Sequence, residues 1–174
     1  MLSGKEIKKR LNKDIIIEPF NEGQLNPNSY NVLLSNELYI YEDEILDIKK
    51  KPNLKKIIIP EDGLVLEPNK LYIGHTKEYT ETYNLVPMID GRSSLGRLGL
   101  FTNSSAGFGD VGFKGTWSLQ LTCVHPVKIY PNMKIAQLYY EEILGEIENY
   151  NGKYLNANNS KDNITSLIYK EYEK

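Results

Sequence analysis

The chain has 174 residues, of which 40% are hydrophobic, and its formal net charge is −2. This length suits one domain with a real core, and the mixed charges argue against nucleic acid as the main partner, because duplex binding usually needs a basic face. No apolar run approaches the length of a membrane span, the N-terminal segment lacks an apolar signal, and the single cysteine fits a reducing cytosol, so we expect a cytoplasmic protein.

The first half of the chain reads as one short helix followed by short strands. Ser3 and Glu6 form an S-x-x-E capping box, which predicts a helix from about Gly4 to Asn12. Apolar and β-branched runs bounded by Pro, Asn and Gly predict the strands, with a charged, solvated excursion before the fourth. The predicted strands cover residues 14–18, 29–34, 37–41, 56–60, 63–66, 71–76 and 79–83. Strands this short at this spacing are typical of an all-β barrel or sandwich.

The second half is organised around Ile89 to Gly115, which reads IDGRSSLGRLGLFTNSSAGFGDVGFKG. Its two arginines, four serines and seven glycines suit anion binding better than core packing. Arg92 and Arg97 can each hold a phosphate with a two-pronged donor, and Asp110 stands in a glycine-flanked loop where a base or a metal partner can sit. A glycine-rich hairpin loop with surface arginines accounts for the same residues, and spacing alone leaves both interpretations open.

Residues 116–124 alternate between apolar and polar side chains, as a strand with one buried face does. The polar face is either a solvent-facing edge or the wall of a pocket, with Gln120 at its centre. The apolar positions expected in the core are Trp117, Leu119, Leu121 and Cys123.

The remaining chain predicts a hairpin and a polar tail. Residues 126–130 and 134–141 read as its two strands, with Pro131 and Asn132 as the turn. From residue 149 the composition becomes polar and rich in asparagine, and such a tail is either frayed or ordered by a ligand or a neighbouring subunit. Three apolar residues are candidates to dock a short helix there: Ile164, Leu167 and Ile168.

Metal ligands are scarce in this sequence. The two histidines, His75 and His125, are fifty residues apart, and Cys123 is the one cysteine. A zinc-dependent deaminase needs a cluster of histidine and cysteine ligands, so the sequence argues against that route to hydrolysis. Each histidine is expected at the surface or at the end of a strand.

Several segments together resemble the dCTP deaminase and dUTPase superfamily, and they look closest to its dCTP deaminase branch, which includes bifunctional deaminase–diphosphatases. The most specific part is GRSSL-x-RLGL at residues 91–100, followed by A-x-x-x-D-x-G-F-x-G at residues 106–115. Other family-like segments follow in the family's order at residues 1–7, 27–33, 132–138 and 150–154. The resemblance implies a mainly β, distorted β-barrel domain over residues 1–148, a tail over 149–174 that closes over the active site, and a homotrimer with active sites between subunits.

The same resemblance implies a role for each matching residue. A deoxypyrimidine nucleoside triphosphate, bound as its Mg²⁺ complex, is the implied substrate. Asp110 would contact the deoxyribose 3′-hydroxyl or position a water. The residues implied to hold the triphosphate are Arg92, Ser93, Ser94 and Arg97; those implied to meet the pyrimidine edge are Ser105 and Ala106; those implied to cover the phosphates from the tail are Tyr150 and Lys153.

One departure from the family pattern concerns the chemistry directly. Deaminases of this family use a glutamate to activate the water that attacks the pyrimidine C4, without zinc, and the matching residue here is Gln120. An amide cannot act as a general base at neutral pH, so deamination by the family mechanism should be crippled or absent. Other departures from the family pattern stand at Asn31, Ser35, Leu155 and Ala157.

Three interpretations therefore remain open. The chain is a dUTP diphosphatase-like hydrolase, in which Asp110 helps a water attack the α-phosphorus and Gln120 hydrogen-bonds a uracil edge. Alternatively, it is a dCTP deaminase in which another arrangement replaces the missing glutamate. The third interpretation is a trimeric nucleotide-binding or regulatory protein without turnover.

Overall fold

The computed structural model describes residues 1–103, 107–152, 155 and 167–172. Within these residues the backbone forms two α-helices, two short 3-10 helices and thirteen β-strands. The helices are α1 (Gly4–Arg10) and α2 (Ser93–Gly96), and the 3-10 helices are Glu22–Gln24 and Ile168–Glu171. The strands are β1 (Ile15–Glu18), β2 (Tyr30–Leu33), β3 (Glu37–Tyr41), β4 (Leu54–Ile58), β5 (Leu64–Leu66), β6 (Tyr72–His75), β7 (Tyr79–Thr82), β8 (Leu85–Gly91), β9 (Leu100–Asn103), β10 (Lys114–Gly115), β11 (Ser118–Cys123), β12 (Val127–Ile129) and β13 (Lys134–Glu142).

The strands form four antiparallel sheets around one core. Their orders are β1-β7-β10, β4-β3-β6-β11-β9, β12-β5 and β2-β13-β8. Side chains from these sheets are fully buried at the centre, including Tyr30, Leu38, Leu119 and Leu138. The predicted mainly β, distorted fold is confirmed, although the four sheets do not close into a continuous barrel.

Helix α1 begins where the capping box predicts. The Ser3 hydroxyl accepts a hydrogen bond from the Glu6 backbone N–H at 3.2 Å, which satisfies one of the free donors of the first turn. Ile7 is fully buried and joins the helix to the core. The helix ends at Arg10, short of the expected Asn12, because Asn12 adopts a left-handed backbone conformation with φ of +59°.

The predicted hairpin between residues 126–130 and 134–141 is wrong in its pairing. Strand β12 pairs with β5, whereas β13 pairs with β2 and β8. The turn explains the difference, since Asn132 has φ of +59° and its N–H donates to the Leu34 carbonyl. Leu34 in turn donates to the Met133 carbonyl, and these two bonds direct the chain onto β2 instead of back onto β12.

Strand β11 alternates as predicted. Its core-facing positions Leu119 and Leu121 are fully buried, and Ser118, Gln120 and Thr122 on the other face are half-buried. The strand lies between β6 and β9, so its polar face does not belong to a sheet edge.

The described end of the tail docks on the charged excursion between β3 and β4. Leu167 and Tyr169 are buried, and Ile168 lines a small cavity together with Tyr41, Leu46 and Ile48. A short 3-10 helix at this place agrees with the predicted docking of Leu167 and Ile168, while Ile164 lies outside the described residues.

Candidate active site

Strand β8 leads directly into the arginine- and serine-rich motif, residues 91–100, at one end of the sheet β2-β13-β8. It pairs with β13 over seven consecutive positions, from Leu85 opposite Glu142 to Gly91 opposite Ala136. A Cβ atom at Gly91 would lie 3.2 Å from the carbonyl oxygen of Thr102, so glycine permits the close approach of β8 to β9.

Arg92 is half-buried directly after β8 and occupies the N-cap position of the following helix. Its Nη1 donates to the carbonyl oxygen of Lys134 at 3.2 Å, which fixes the guanidinium against the start of β13. The remaining guanidinium N–H groups are still able to donate to a ligand, because Arg carries five such donors.

Helix α2 presents the other predicted phosphate-binding side chains to solvent. Leu95 is buried and holds this single turn on the core, whereas Ser93, Ser94 and Arg97 are exposed. Within the described ranges, the Arg97 guanidinium makes no ion pair or hydrogen bond with a protein acceptor. A cation and two hydroxyls therefore stand together on one short element, available to an anion.

Asp110 occupies the first position of a tight turn. The Phe113 N–H donates to the Asp110 carbonyl at 3.1 Å, and Gly112 has φ of +84°, a conformation that favours glycine. The Asp110 side chain is exposed, and it makes no hydrogen bond or ion pair with any other described residue. A free carboxylate on an ordered turn can accept a proton or a hydroxyl hydrogen bond from a ligand.

The start of the tail is fastened to that same turn. The Tyr150 N–H donates to the Val111 carbonyl at 2.7 Å, and Asn149 packs against Gly112. Tyr150 is half-buried there. The structure therefore brings two of the predicted site residues, Asp110 and Tyr150, to one turn.

Gln120 lies in the middle of β11, opposite Ile73 on β6 and Asn103 on β9. Its amide oxygen is buried and, among the described residues, has no hydrogen-bond partner. A buried amide group without a partner costs free energy, and a ligand with a donor at this position would satisfy it. The residues on either side, Leu119 and Leu121, are fully buried, so the strand cannot slip by one position without placing the amide in the core.

Three predicted site residues, Ser105, Ala106 and Lys153, lie outside the described residues. The described residues on either side of the first two are Asn103, which ends β9, and Gly107, whose carbonyl accepts a hydrogen bond from the Ile89 N–H at 2.8 Å.

Asn31, one of the departures from the family pattern, belongs to a buried polar network. Its Nδ2 donates to the Gln24 carbonyl at 3.2 Å and to Asn26 Oδ1 at 3.0 Å. The Gln24 side chain donates in turn to the Glu78 carboxylate at 2.7 Å, which also accepts from the Leu33 N–H at 2.8 Å. Burial raises the pKa of Glu78, although these two hydrogen bonds oppose the shift.

Periodicity in the sequence does not reveal this network, because Gln24 lies on a loop and Glu78 at a strand start, where no alternation marks them as buried. The network reaches the arginine- and serine-rich motif through a row of the sheet, since Asn31, Gln137 and Asp90 lie opposite one another on β2, β13 and β8. Asp90 immediately precedes the Gly91–Arg92 pair, and its Oδ1 accepts from the Gly91 N–H at 2.7 Å.

The two histidines lie in different surroundings. His75 is buried at the end of β6, where Nδ1 donates to the Thr76 carbonyl at 3.0 Å, and burial lowers its pKa. His125 is exposed after β11. In the part of the chain that the structure describes, no three His, Cys, Asp or Glu side chains are grouped to hold a metal ion. No helix among those residues has both the length and the apolar character to cross a bilayer.

The sequence matches one protein-family profile, described as dCTP deaminase-like, over residues 1–143. Similar curated proteins cover nearly all of the chain. A protein of Hathewaya histolytica named "dCTP deaminase, dUMP-forming" is 59% identical over 174 residues, which are 99% of both chains. A protein of the same name from Clostridium acetobutylicum is 57% identical over 173 residues, 99% of this chain and 98% of the relative.

A solved structure agrees with the fold. The 2′-deoxycytidine 5′-triphosphate deaminase of Agrobacterium tumefaciens superposes with a TM-score of 0.65 at 18% identity, over 80% of this chain and 46% of that one. At this identity, the likeness concerns the arrangement of the strands only.

Proposed function

Because the chain belongs to the dCTP deaminase-like family, we propose that it is a deoxypyrimidine nucleoside triphosphate hydrolase that converts dUTP to dUMP and pyrophosphate. The observation that carries this proposal is a contrast within the site. The arginine- and serine-rich motif is complete and faces solvent on α2, whereas the position that requires a base for deamination holds the amide of Gln120. Hydrolysis of the phosphoanhydride needs the first feature and not a base at C4.

In this proposal, the phosphate chain binds to α2. A triphosphate carries roughly four negative charges, and charge-assisted hydrogen bonds from guanidinium groups are about twice as strong as neutral ones. Arg92, fixed by the Lys134 carbonyl, sets the direction of the phosphate chain, and Arg97 follows it from the exposed end of the helix. Ser93 and Ser94 add hydroxyl donors.

Asp110 acts beside the reacting phosphate. Its carboxylate holds the attacking water and takes a proton from it, or else it contacts the deoxyribose 3′-hydroxyl. The water oxygen forms a bond to the α-phosphorus, the bond from the α-phosphorus to the bridging oxygen breaks, and pyrophosphate leaves with that oxygen and its electron pair. The products are dUMP and pyrophosphate. The segment with Ser105 and Ala106 meets the pyrimidine, and Tyr150 and Lys153 cover the phosphates from the tail, which excludes water and strengthens every charged contact.

Mg²⁺ fits this site as a partner of the nucleotide. The free carboxylate of Asp110 and the phosphate oxygens are hard oxygen ligands of the kind that Mg²⁺ prefers. When bound, the ion neutralises charge on the phosphates. The chain's own residues supply the orientation of the phosphates and of the water.

A second candidate function is the conversion of dCTP to dUMP, and the name of the curated relatives favours it. This reaction adds removal of the 4-amino group to the cleavage above. General acid–base groups contribute about 10²–10⁴-fold to such steps, and Gln120 cannot supply a base. We therefore place dUTP ahead of dCTP as the substrate.

The proposal includes an assembly of three chains in the cytoplasm, with the domain of residues 1–148 forming sites between subunits and the tail of residues 149–174 closing over them. Large apolar side chains on the described surface support an assembly. Examples are Leu98, Phe101, Phe108, Val124 and Leu144.

One assay tests the function. The full chain is incubated with Mg²⁺ and either dUTP or dCTP, and nucleotides, pyrophosphate and ammonia are measured. We expect equal amounts of dUMP and pyrophosphate from dUTP, and little ammonia from dCTP. Rapid ammonia release from dCTP would favour the second candidate, whereas tight nucleotide binding without any product would leave the non-catalytic interpretation.

A further inference from the structure

Trp117 is the only tryptophan of the chain, and its indole lies beneath the turn that carries Asp110. A Cβ atom at Gly109 would be 2.6 Å from Trp117 Cη2, so the backbone before the turn rests directly on the indole. Phe113, the last residue of the turn, packs against the same ring system at a centroid distance of 4.7 Å. The indole therefore contacts the chain on both sides of Asp110.

Two buried threonines hold Trp117 in place. Its Nε1 donates to Thr80 Oγ1 at 2.9 Å, and its backbone N–H donates to Thr76 Oγ1 at 3.0 Å. Thr80 is 1% exposed and Thr76 is fully buried. A buried indole N–H needs a hydrogen-bond partner. The Thr80 hydroxyl therefore fixes the orientation of the ring more narrowly than packing contacts alone would.

The turn above the indole is also bonded to its surroundings through the backbone. The Gly109 N–H donates to the Pro87 carbonyl at 2.7 Å, which ties the turn to β8 and hence to the strand that leads into α2. The Val111 carbonyl accepts from Tyr150 at 2.7 Å, which ties it to the tail. A displacement of the indole would therefore move Asp110 and Tyr150 together.

We infer that Trp117 and Thr80 are positioning residues: the hydrogen-bonded indole sets the height and orientation of the Asp110 turn and of the tail residue attached to it. Both side chains are buried and act through the turn above them. The consequence for turnover rests on the proposed function, because it assigns Asp110 a part in the reaction. The placement of the turn itself does not depend on the substrate.

Thr80→Val and Thr80→Ser form a matched pair for the test. Valine has nearly the shape of threonine but lacks the hydroxyl, whereas serine keeps the hydroxyl and loses a methyl group. We expect Thr80→Val to speed hydrogen exchange at the N–H groups of Gly109, Phe113 and Tyr150 by about tenfold or more. It should leave exchange at Gly96 of α2 unchanged, and Thr80→Ser should behave like the wild type.

Emission from the single tryptophan gives a second readout. Loss of the Nε1 hydrogen bond should shift the Trp117 emission maximum in Thr80→Val and not in Thr80→Ser. Where Thr80→Val does not fold, Trp117→Phe removes the donor while keeping an aromatic ring, and the exchange of the same three N–H groups is compared.

Kinetics connect the turn to the reaction. A displacement of about 1 Å in a catalytic group can cost about 10²-fold in rate, so kcat for dUTP should fall at least about tenfold in Thr80→Val. KM should change by a smaller factor than kcat, because Arg92 and Arg97 still hold the phosphates while Asp110 is displaced from the reacting water. Unchanged exchange, or equal effects of Val and Ser, would overturn the inference.

The two proposals fail separately. If the wild type hydrolyses no nucleotide, the proposed function is wrong, while the exchange and emission comparisons still decide whether the hydroxyl of Thr80 positions the turn. If hydrolysis proceeds and Thr80→Val keeps the wild-type kcat with faster exchange at the turn, the positioning has no part in turnover and the inference is wrong in that respect.

Discussion

At residue 120 the pairing of the backbone on both sides fixes the direction of the side chain, to which we assign a part in the proposed chemistry. β-Pairing on both sides holds Gln120 on the face away from the core, with its amide oxygen buried and lacking a partner among the described residues. Glutamine and glutamate have almost the same shape, so exchanging them changes proton transfer and leaves the packing nearly intact. Activity differences between the two therefore report on the chemistry of this side chain.

Gln120→Glu is expected to create or raise ammonia release from dCTP. The gain should reach about 10²–10⁴-fold, the usual contribution of a general base, and burial would raise the pKa of the new carboxyl. Ammonia is measured with Mg²⁺ and dCTP at several pH values. Thr122→Glu, two positions along the same half-buried face, serves as the control and should release no more ammonia than the wild type. Equal release from both variants would contradict the assignment of position 120.

Arg97→Ala is expected to weaken every reaction of the triphosphate. Hydrogen bonds to charged groups contribute about 1.5–3 kcal/mol, so kcat/KM for dUTP should fall by about 10–100-fold. Stability should stay within about 0.5 kcal/mol, because the side chain is exposed and pairs with no described residue. Steady-state kinetics and urea unfolding provide the two measurements, and Lys55→Ala on β4 is the matched loss of an exposed charge. An unaltered kcat/KM would remove Arg97 from the phosphate site.

At the scale of elements, local patterns determine what each segment becomes, while long-range bonds decide what it pairs with. The alternation of residues 116–124 correctly predicts β11, because a period of two with one buried face leaves a clear signal. The predicted hairpin of β12 and β13 is wrong, since chain order says nothing of the bonds by which Asn132 and Leu34 redirect the chain.

The candidate site is predictable to the extent that its residues stand in a contiguous motif. The α2 segment and the Asp110 loop can be found in this way. The hydrogen bond between Trp117 and Thr80 beneath the Asp110 turn cannot be predicted in this way. The two residues are 37 positions apart, and the sequence marks each of them only as part of a strand. Ser105, Ala106 and Lys153 stay predictions.

The cap of α1 gives a test at the level of one element. Ser3→Ala removes the acceptor of the Glu6 N–H and should lower the free energy of unfolding by about 0.5–2 kcal/mol. Ser3→Asp keeps an acceptor and should stay close to the wild type. Urea midpoints at pH 7 compare the three proteins, and an equal loss in both variants would show that the hydroxyl's bond is not the cause.

The buried network behind β2 gives a pH-dependent test. The folded-state pKa of Glu78 is raised by burial, so the native protein binds this proton more tightly than the unfolded chain. Its contribution to stability is therefore largest below the unfolded value, about 4.3, and declines as pH rises toward and through the folded pKa. Glu78→Gln removes this pH dependence. It also places an N–H₂ group against one of the two donors to the carboxylate, Gln24 Nε2 or the Leu33 N–H.

The difference in the free energy of unfolding between the wild type and Glu78→Gln should therefore be greatest near pH 4 and smaller at pH 7. Chemical unfolding over this range measures the difference. Glu61→Gln, which removes the same charge from an exposed side chain, is the control for the loss of charge alone. A difference for Glu78 that grows with pH would contradict a raised pKa in the folded state.

At the scale of the whole molecule, the exposed apolar side chains are the features that one chain alone does not explain. Leu98 and Val124 are 60% and 58% exposed, and the Val124 N–H donates to the Gly99 carbonyl, so both lie where β11 meets the end of the α2 segment. Apolar surface of this kind marks contacts between proteins when it is contiguous.

Leu98→Glu is expected to dissociate the proposed trimer. Light scattering after gel filtration should give about 60 kDa for three chains of 20.0 kDa, and about a third of that for the variant. Ile45→Glu, on the excursion between β3 and β4 and 83% exposed, is the control and should keep the wild-type mass. If the wild type itself elutes as a single chain, sites shared between subunits are ruled out.

The pairing of β11 on both sides also has a consequence for the evolution of this protein. Because β6 and β9 hold the strand whichever side chain stands at 120, no second substitution is needed to keep its direction. Glutamine and glutamate codons differ at a single base. One base change therefore separates the amide from a carboxylate at this position, and under the proposed role of residue 120 selection for deamination would need only that substitution.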